Sequence, residues 1–116
     1  MAQTMLIVDI AIKPGKADDF RAAAQALFER TQDEPGTLRY EYFIADDETR
    51  NINIEVFEDA AAFVAHNQHC APLVPALLAA GDIRRIDVVG DHSDELYAEL
   101  EGMDLLHFTR LGGISR

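Results

Sequence analysis

Two short stretches of alternation in the middle of the chain constrain the fold most. TLRYEYFIA at 37–45 and RNINIEVFE at 50–58 both repeat with a period of two, the signature of half-buried strands. The polar residues 46–49 separate them, so the pair reads as a β-hairpin. A lone hairpin is marginal in water and needs cover. The flanks supply it. In ADDFRAAAQALFERTQD, 17–33, Phe20, Ala24, Leu27 and Phe28 recur at helical spacing. Asp18 and Asp19 fall in the first turn, where the helix dipole favours anions. Glu34-Pro35-Gly36 stops that helix. After the hairpin, Asp59 is a candidate N-cap for AAAFVAHNQHC. Pro72 and Pro75 predict a break or a fresh start, with APLVPALLAA as a further helical segment ended by Gly81 and Asp82. TMLIVDIAIK at 4–13 and IRRIDVV at 83–89 are Ile- and Val-rich strands. The order β-α-β-β-α-β predicts an α+β, ferredoxin-like fold: one antiparallel sheet with two helices on one face.

That architecture leaves the other face of the sheet bare. With the hairpin loop centred near Glu48, Leu38, Tyr40, Tyr42 and Ile44 share a face with Ile52, Ile54 and Val56. Arg39, Glu41 and Phe43 then lie beside Asn53, Glu55 and Phe57. The first strand is apolar on both faces except at Asp9. Monomers rarely expose a continuous apolar patch, so a homodimer through the sheet faces is expected. The alternative cover is the C-terminal tail.

A chain of 116 residues has room for one domain. The ferredoxin-like unit occupies 1–90, and 91–116 is an acidic extension. DHSDELYAELEG reads as a short helix with Leu96, Tyr97 and Leu100 on one side, and 104–110 as a candidate fifth strand. Acidic residues number 21 against 10 basic, a net charge of −11, and no Lys or Arg run occurs. Nucleic acid and anionic membrane surfaces are therefore not the expected partners. The apolar stretch 5–12 is short, is interrupted by Asp9 and has no basic region before it. It reads as a strand, not as a signal peptide or membrane span. Cys70 is the single cysteine, which fits a reducing cytoplasm.

Familiar chemical signatures are missing. The glycines make no phosphate-binding loop, and there is no CxxC or GxSxG. What remains is subtler. His66 and His69 are spaced i, i+3 and share a helix face. Imidazole titrates near neutrality, so either can serve as base or donor; both can equally be surface or capping histidines. A metal pair would need a third ligand, and HNQHCAP offers no carboxylate, so no metal is expected. Cys70 adjoins His69, which makes a Cys–His pair awkward, and a buried thiol is usually inert packing. Arg39, Glu41, Phe43, Asn53, Glu55 and Phe57 combine an apolar wall with a few polar groups, as small-molecule pockets do. The plainer alternative is a half-solvated sheet face with cross-strand charge pairs.

EPGTLRYEYF at 34–43 and IEVFEDAAAFVAHNQH at 54–69 carry a resemblance. They are similar to the antibiotic biosynthesis monooxygenase domain family, with its Pro-Gly turn, Tyr-Glu strand, Glu-x-aromatic-x-Asp strand end and Ala-Phe-x-x-His helix. The resemblance implies a dimeric α+β barrel. It also implies oxygenation of a small aromatic or quinol-type substrate by O₂ with no metal, flavin or haem, the deprotonated substrate supplying the electrons. Tyr40, Glu41, Glu55, His66 and His69 match the motif. Phe57 stands where many members have Trp, and the chain has no Trp. Val8 or Asp9 stands where haem-degrading relatives use Asn, which disfavours that activity. On this resemblance His69 or His66 is the base, Arg39 or Asn53 holds the oxyanion, and Phe43 and Phe57 wall the ring. The pocket is expected between the second helix and the sheet. The competing expectations are a non-catalytic dimer that binds a small ligand or a partner, and an isomerase or decyclising activity on a similar fold.

Overall fold

The structure, a computed structural model, describes residues 2–116. Its strands are β1 (Thr4–Ile12), β2 (Thr37–Ile44), β3 (Arg50–Phe57), β4 (Gly81–Gly90) and β5 (Leu105–Phe108). Its α-helices are α1 (Ala17–Thr31), α2 (Ala60–Cys70), α3 (Val74–Ala80) and α4 (Asp94–Glu99). The sheet order is β2-β3-β1-β4-β5. The first four strands pair antiparallel in the ferredoxin-like arrangement, and β5 joins β4 in parallel, so the sheet is mixed.

Local chemistry sets the helix ends. Asp59 Oδ1 accepts from the Ala62 N–H at 2.8 Å and starts α2. Pro72 turns the chain through a 3₁₀ segment, Ala71–Leu73, and Pro75 sits in the first turn of α3, where a missing N–H costs nothing. β1 alternates strictly: Leu6, Val8, Ile10 and Ile12 point to the helices, while Met5, Ile7, Asp9 and Ala11 do not. Phe20 and Leu27 of α1, Phe63 of α2 and Leu77 of α3 close over that inner face. Leu96 and Leu100 belong to the same core, so the 91–116 segment packs on the ferredoxin-like unit through α4 and extends its sheet through β5. No described helix is long and apolar enough to cross a membrane.

The hairpin differs from the sequence expectation in one decisive respect. Ala45 N–H bonds to Arg50 O at 2.8 Å, and Ile44 faces Asn51, Tyr42 faces Asn53 and Tyr40 faces Glu55. The loop therefore centres between Asp47 and Glu48, half a residue from the position assumed above. Asp47 Oδ1 accepts from both the backbone and the hydroxyl of Thr49, and Glu48 adopts φ 62°, which together fix this turn. One residue of relative slip exchanges every partner across the sheet. Tyr40, Tyr42 and Ile44 thus share the helix-facing side with Asn51, Asn53 and Glu55. Arg39, Glu41 and Phe43 lie with Val56, Ile54 and Ile52 on the other side. β3 is consequently polar inward and apolar outward.

The outer face carries Leu38, Phe43, Ile52, Leu106 and Phe108 as exposed large hydrophobics. Ion pairs punctuate it: Arg39–Glu41, Arg50–Asp9 at 2.6 Å and Arg85–Asp87 at 2.7 Å.

Candidate functional site

The inward side chains of β3 form a buried polar strip. Asn51 Nδ2 donates to Asn53 Oδ1 at 2.7 Å, and Asn53 Nδ2 donates to Glu55 Oε2 at 3.1 Å. All three residues are buried. Beside them on β2, the hydroxyls of Tyr40 and Tyr42 bond each other at 2.8 Å. A line of amides, a carboxyl and two phenols under a helix layer is costly unless each group is paired. Its presence marks a place where the core serves something other than packing.

α2 lays His66 over this strip. Its ring centroid lies 4.8 Å from that of Tyr40 and 5.2 Å from that of Phe57. The turn after α1 supplies a residue the sequence reading did not assign. Glu34 accepts from His66 Nδ1 through Oε1 and from His69 Nδ1 through Oε2, both at 2.7 Å, and from the Thr37 hydroxyl at 2.7 Å. Gly36 makes this approach possible, because a Cβ there would stand 2.8 Å from Ala62 Cβ. The Glu-Pro-Gly turn therefore seats against α2 and delivers its carboxylate between the two imidazoles. His66 is buried, whereas His69 is half-exposed. The carboxylate thus joins an interior histidine to one that reaches solvent.

These contacts tune the titrating groups. Burial pushes Glu34 up, but hydrogen bonds from His69, Thr37 and His66 outweigh it and hold the carboxyl below its ordinary value. Burial raises Glu55 above the usual carboxyl range despite the opposing pull of His66 and Asn53. For His66, burial acts downward; Cys70, Glu55 and Glu34 overcome it and raise the imidazole to about 9. Tyr40 and Tyr42 are raised, chiefly by burial and then by the charge of Glu55. At neutral pH the arrangement therefore offers an imidazolium beside a carboxyl group poised nearer neutrality than usual.

A cavity of about 80 Å³ lies against the Asn53–Glu55 end of the strip, lined by Tyr42, Asn53, Glu55, Phe63 and His66 among others. His69 and Glu34 face an open groove outside α2. Of the residues singled out from sequence, Asn53, Glu55, Phe57 and His66 come together, and His69 joins them through Glu34. Phe57 is fully buried against Phe63 and His66. Arg39, Glu41 and Phe43 do not join: the hairpin register puts them on the opposite face of the sheet, so the shared pocket face expected for them is corrected. Two further expectations change. The carboxylate that HNQHCAP lacks comes from Glu34, whose ligand atoms lie within 4.8 Å of those of His66 and Cys70, a set that does not include His69. Cys70 Sγ lies 3.8 Å from His66 Nδ1, one helical turn away, so that pair is not awkward. This donor set suits a borderline divalent cation in kind. Both histidine Nδ1 atoms are already engaged by Glu34, however, and a metal would have to displace satisfied hydrogen bonds.

A ferredoxin-like sheet that buries polar chemistry under its helices and bares an apolar opposite face defines a class of small α+β proteins. The sequence profile of the family described as antibiotic biosynthesis monooxygenase matches residues 4–77, and the chain belongs to that family. No curated protein matches it by sequence. Among solved structures, MupZ from Pseudomonas fluorescens is 25% identical with a TM-score of 0.82, over 98% of this chain and 94% of that one. An antibiotic biosynthesis monooxygenase of 27% identity covers 80% and 98% of the two chains with a TM-score of 0.61. SnoaB from Streptomyces nogalater, a cofactor-independent oxygenase, is 19% identical with a TM-score of 0.63, over 71% and 86%. The last likeness is one of fold. The MupZ superposition covers almost the whole chain, so its extent includes α4 and β5 as well as the ferredoxin-like unit.

Proposed function

We propose that this chain is a cofactor-independent monooxygenase acting on a small aromatic or quinol-type substrate with O₂. The observation that carries the reading is the Asn53–Glu55–His66 cluster, an acid–base pair buried beside an apolar cavity in a member of this family. The chemistry needs little more. Removing a proton from an activated ring carbon leaves an electron-rich anion. The anion gives electrons to O₂ and forms a carbon–oxygen bond, and loss of water from the resulting hydroperoxide leaves a carbonyl. One oxygen atom stays on the substrate and the other leaves as water. Glu55 is the proton acceptor in this scheme, because burial raises its basicity. His66, as imidazolium, and Asn53 stabilise the negative charge that develops. Glu55 returns the proton to the peroxide oxygen, so that water can leave, while Glu34, bridging His66 and His69, favours the imidazolium form of His66. Arg39 has no part in this chain's own site, since it sits across the sheet.

Oxygen-electrode assays with quinols and anthrone-type substrates test the reading. Oxygen uptake that tracks product, unaffected by a chelator, supports it; none with any such substrate favours a ligand-binding dimer instead. The purified protein is expected to show no flavin or haem absorption and no stoichiometric transition metal. A chromophore at one per chain would refute the mechanism.

The outer sheet face supports a homodimer as part of the same proposal. Ile54 lies at the centre of that face between Glu41 and Ile7. Ile54→Asp is expected to convert the dimer to monomer in sedimentation at micromolar concentration, because it places an unpartnered charge in the interface. A wild-type chain that sediments as a folded monomer would overturn it.

A further inference from the structure

The core holds a cavity that is smaller than a ring needs and lined by the wrong chemistry for water. Its volume is about 80 Å³. Leu6 and Val8 of β1, Leu27 of α1, Phe63 of α2, Leu77 of α3 and Ile86 of β4 all line it, and each is buried. Both layers of the fold thus contribute hydrocarbon walls. An engineered cavity of ~150 Å³ with such walls stays dry and admits benzene or xenon. At about half that volume, this one takes a monatomic or diatomic guest as it stands. A ring would have to push the walls apart, which close-packed interiors resist. A buried water needs two to four polar partners. The polar groups at the rim already have theirs: Asn53 bonds Asn51 and Glu55, His66 bonds Glu34, and Tyr40 bonds Tyr42. Dioxygen asks for no hydrogen bond. It is apolar, and it gains dispersion contacts from walls of this kind.

We propose that this cavity is a dioxygen pocket, in which the gas sits between the aliphatic walls and the Asn53–Glu55 end of the strip. Glu55 lines the same space, so a guest there lies beside the carbon from which Glu55 takes the proton. Charge that develops on the gas as electrons arrive faces the His66 imidazolium, which also lines the cavity. Substrate and oxidant therefore do not compete for one space. The oxidant is held by fit to small aliphatic side chains, and the ring is recognised elsewhere. Naming dioxygen as the guest rests on the oxygenase reading; the size and lining of the cavity do not.

Dioxygen is paramagnetic and reports its own position. Methyl proton relaxation is measured on the intact chain, without substrate, under oxygen and under nitrogen at equal pressure. The methyls of Val8, Leu27, Leu77 and Ile86 are expected to show a several-fold larger oxygen effect than those of Ile12 and Leu96. The latter two bracket them in burial but do not line the cavity. Xenon added to the oxygen should remove the difference by taking the same space. Val74 also lines the cavity, from the start of α3, so Val74→Phe should fill it. That variant should bring the four methyls to the level of Ile12 and Leu96 and raise the KM for O₂ in quinol turnover several-fold. If it does not fold, the wild-type comparison and the xenon competition decide alone. An oxygen effect that follows burial only, or that survives xenon, overturns the proposal. So does a KM for O₂ that stays put in Val74→Phe although the effect is gone, since turnover then draws its gas from elsewhere. A selective effect with no oxygen uptake from any quinol leaves the gas pocket standing and removes the oxygenase. Oxygen uptake with an effect that follows burial only removes the pocket and leaves the oxygenase.

Discussion

Glu55→Gln is expected to lower kcat by about 10²–10⁴-fold, the usual contribution of a general base, while leaving the fold intact. The substitution is close to isosteric. A glutamine carbonyl still accepts from Asn53 Nδ2, so the amide strip keeps its polarity. What disappears is the proton acceptor alone. The pH dependence separates this from a structural effect. In the proposed mechanism, turnover needs Glu55 ionised and His66 protonated. The wild-type profile of kcat/KM should rise through a carboxyl pKa above the ordinary range and fall through the His66 value of about 9. Glu55→Gln should abolish the rising limb, and His66→Gln the falling one. His69→Ala should cause a smaller loss, because solvent can replace a half-exposed imidazole at the end of the Glu34 bridge. Full activity in Glu55→Gln would remove the carboxyl from the mechanism and return the base to a histidine.

Much of the fold was legible in the sequence because its signals are local. Periodicity placed the strands and helices, Asp59 marked the start of α2, and Gly81 marked the end of α3. The candidate site was legible only where a single element decides which residues share a face. His66 and His69 follow from helix spacing, and Asn53 and Glu55 from alternation along one strand. What failed was the relation between strands. The hairpin register depends on a half-residue shift in a four-residue loop, and the side-chain bonds of Asp47 set that shift. Apolar Ile52, Ile54 and Val56 invite burial under the helices, yet they face outward, because the polar set on β3 is the one the helices cover. Glu34 was invisible for another reason. Nothing in Glu-Pro-Gly as a helix stop announces that Gly36 lets the turn press against α2. One signal was available: a glycine after a proline turn permits close approach to a neighbouring helix.

The buried imidazole of His66 makes stability depend on pH in an unusual direction. His66 is raised from 6.5 to about 9 in the folded chain. A raised imidazole contributes stability that is fully present below its unfolded value and lost as pH climbs through the folded one. The fall therefore spans roughly pH 6.5 to 9 and amounts to about 3 kcal/mol at one pKa unit per 1.36 kcal/mol. Glu55 acts with the same sign at lower pH. Its folded value lies above the ordinary carboxyl value, so its ionisation also favours the unfolded chain as pH rises. Glu34 acts oppositely: its lowered value gives stability above the carboxyl range that is lost on acidification. Between these limits the chain should be most stable on the acid side of neutrality. Urea midpoints measured from pH 5 to pH 9.5 should decline steadily above pH 6.5. That window ends before Tyr40 and Tyr42, whose raised values add their own loss only above about pH 10. His66→Gln should be less stable at pH 6 and nearly independent of pH across the same window, because it removes the group that takes up the proton. Glu34→Gln should keep most of the slope, through Cys70 and Glu55, and lose only the share that the Glu34 hydrogen bond supplies. A wild-type midpoint that stays flat or rises between pH 6.5 and 9 would show that His66 is neutral in the folded chain, and the imidazolium would have to leave the mechanism as well.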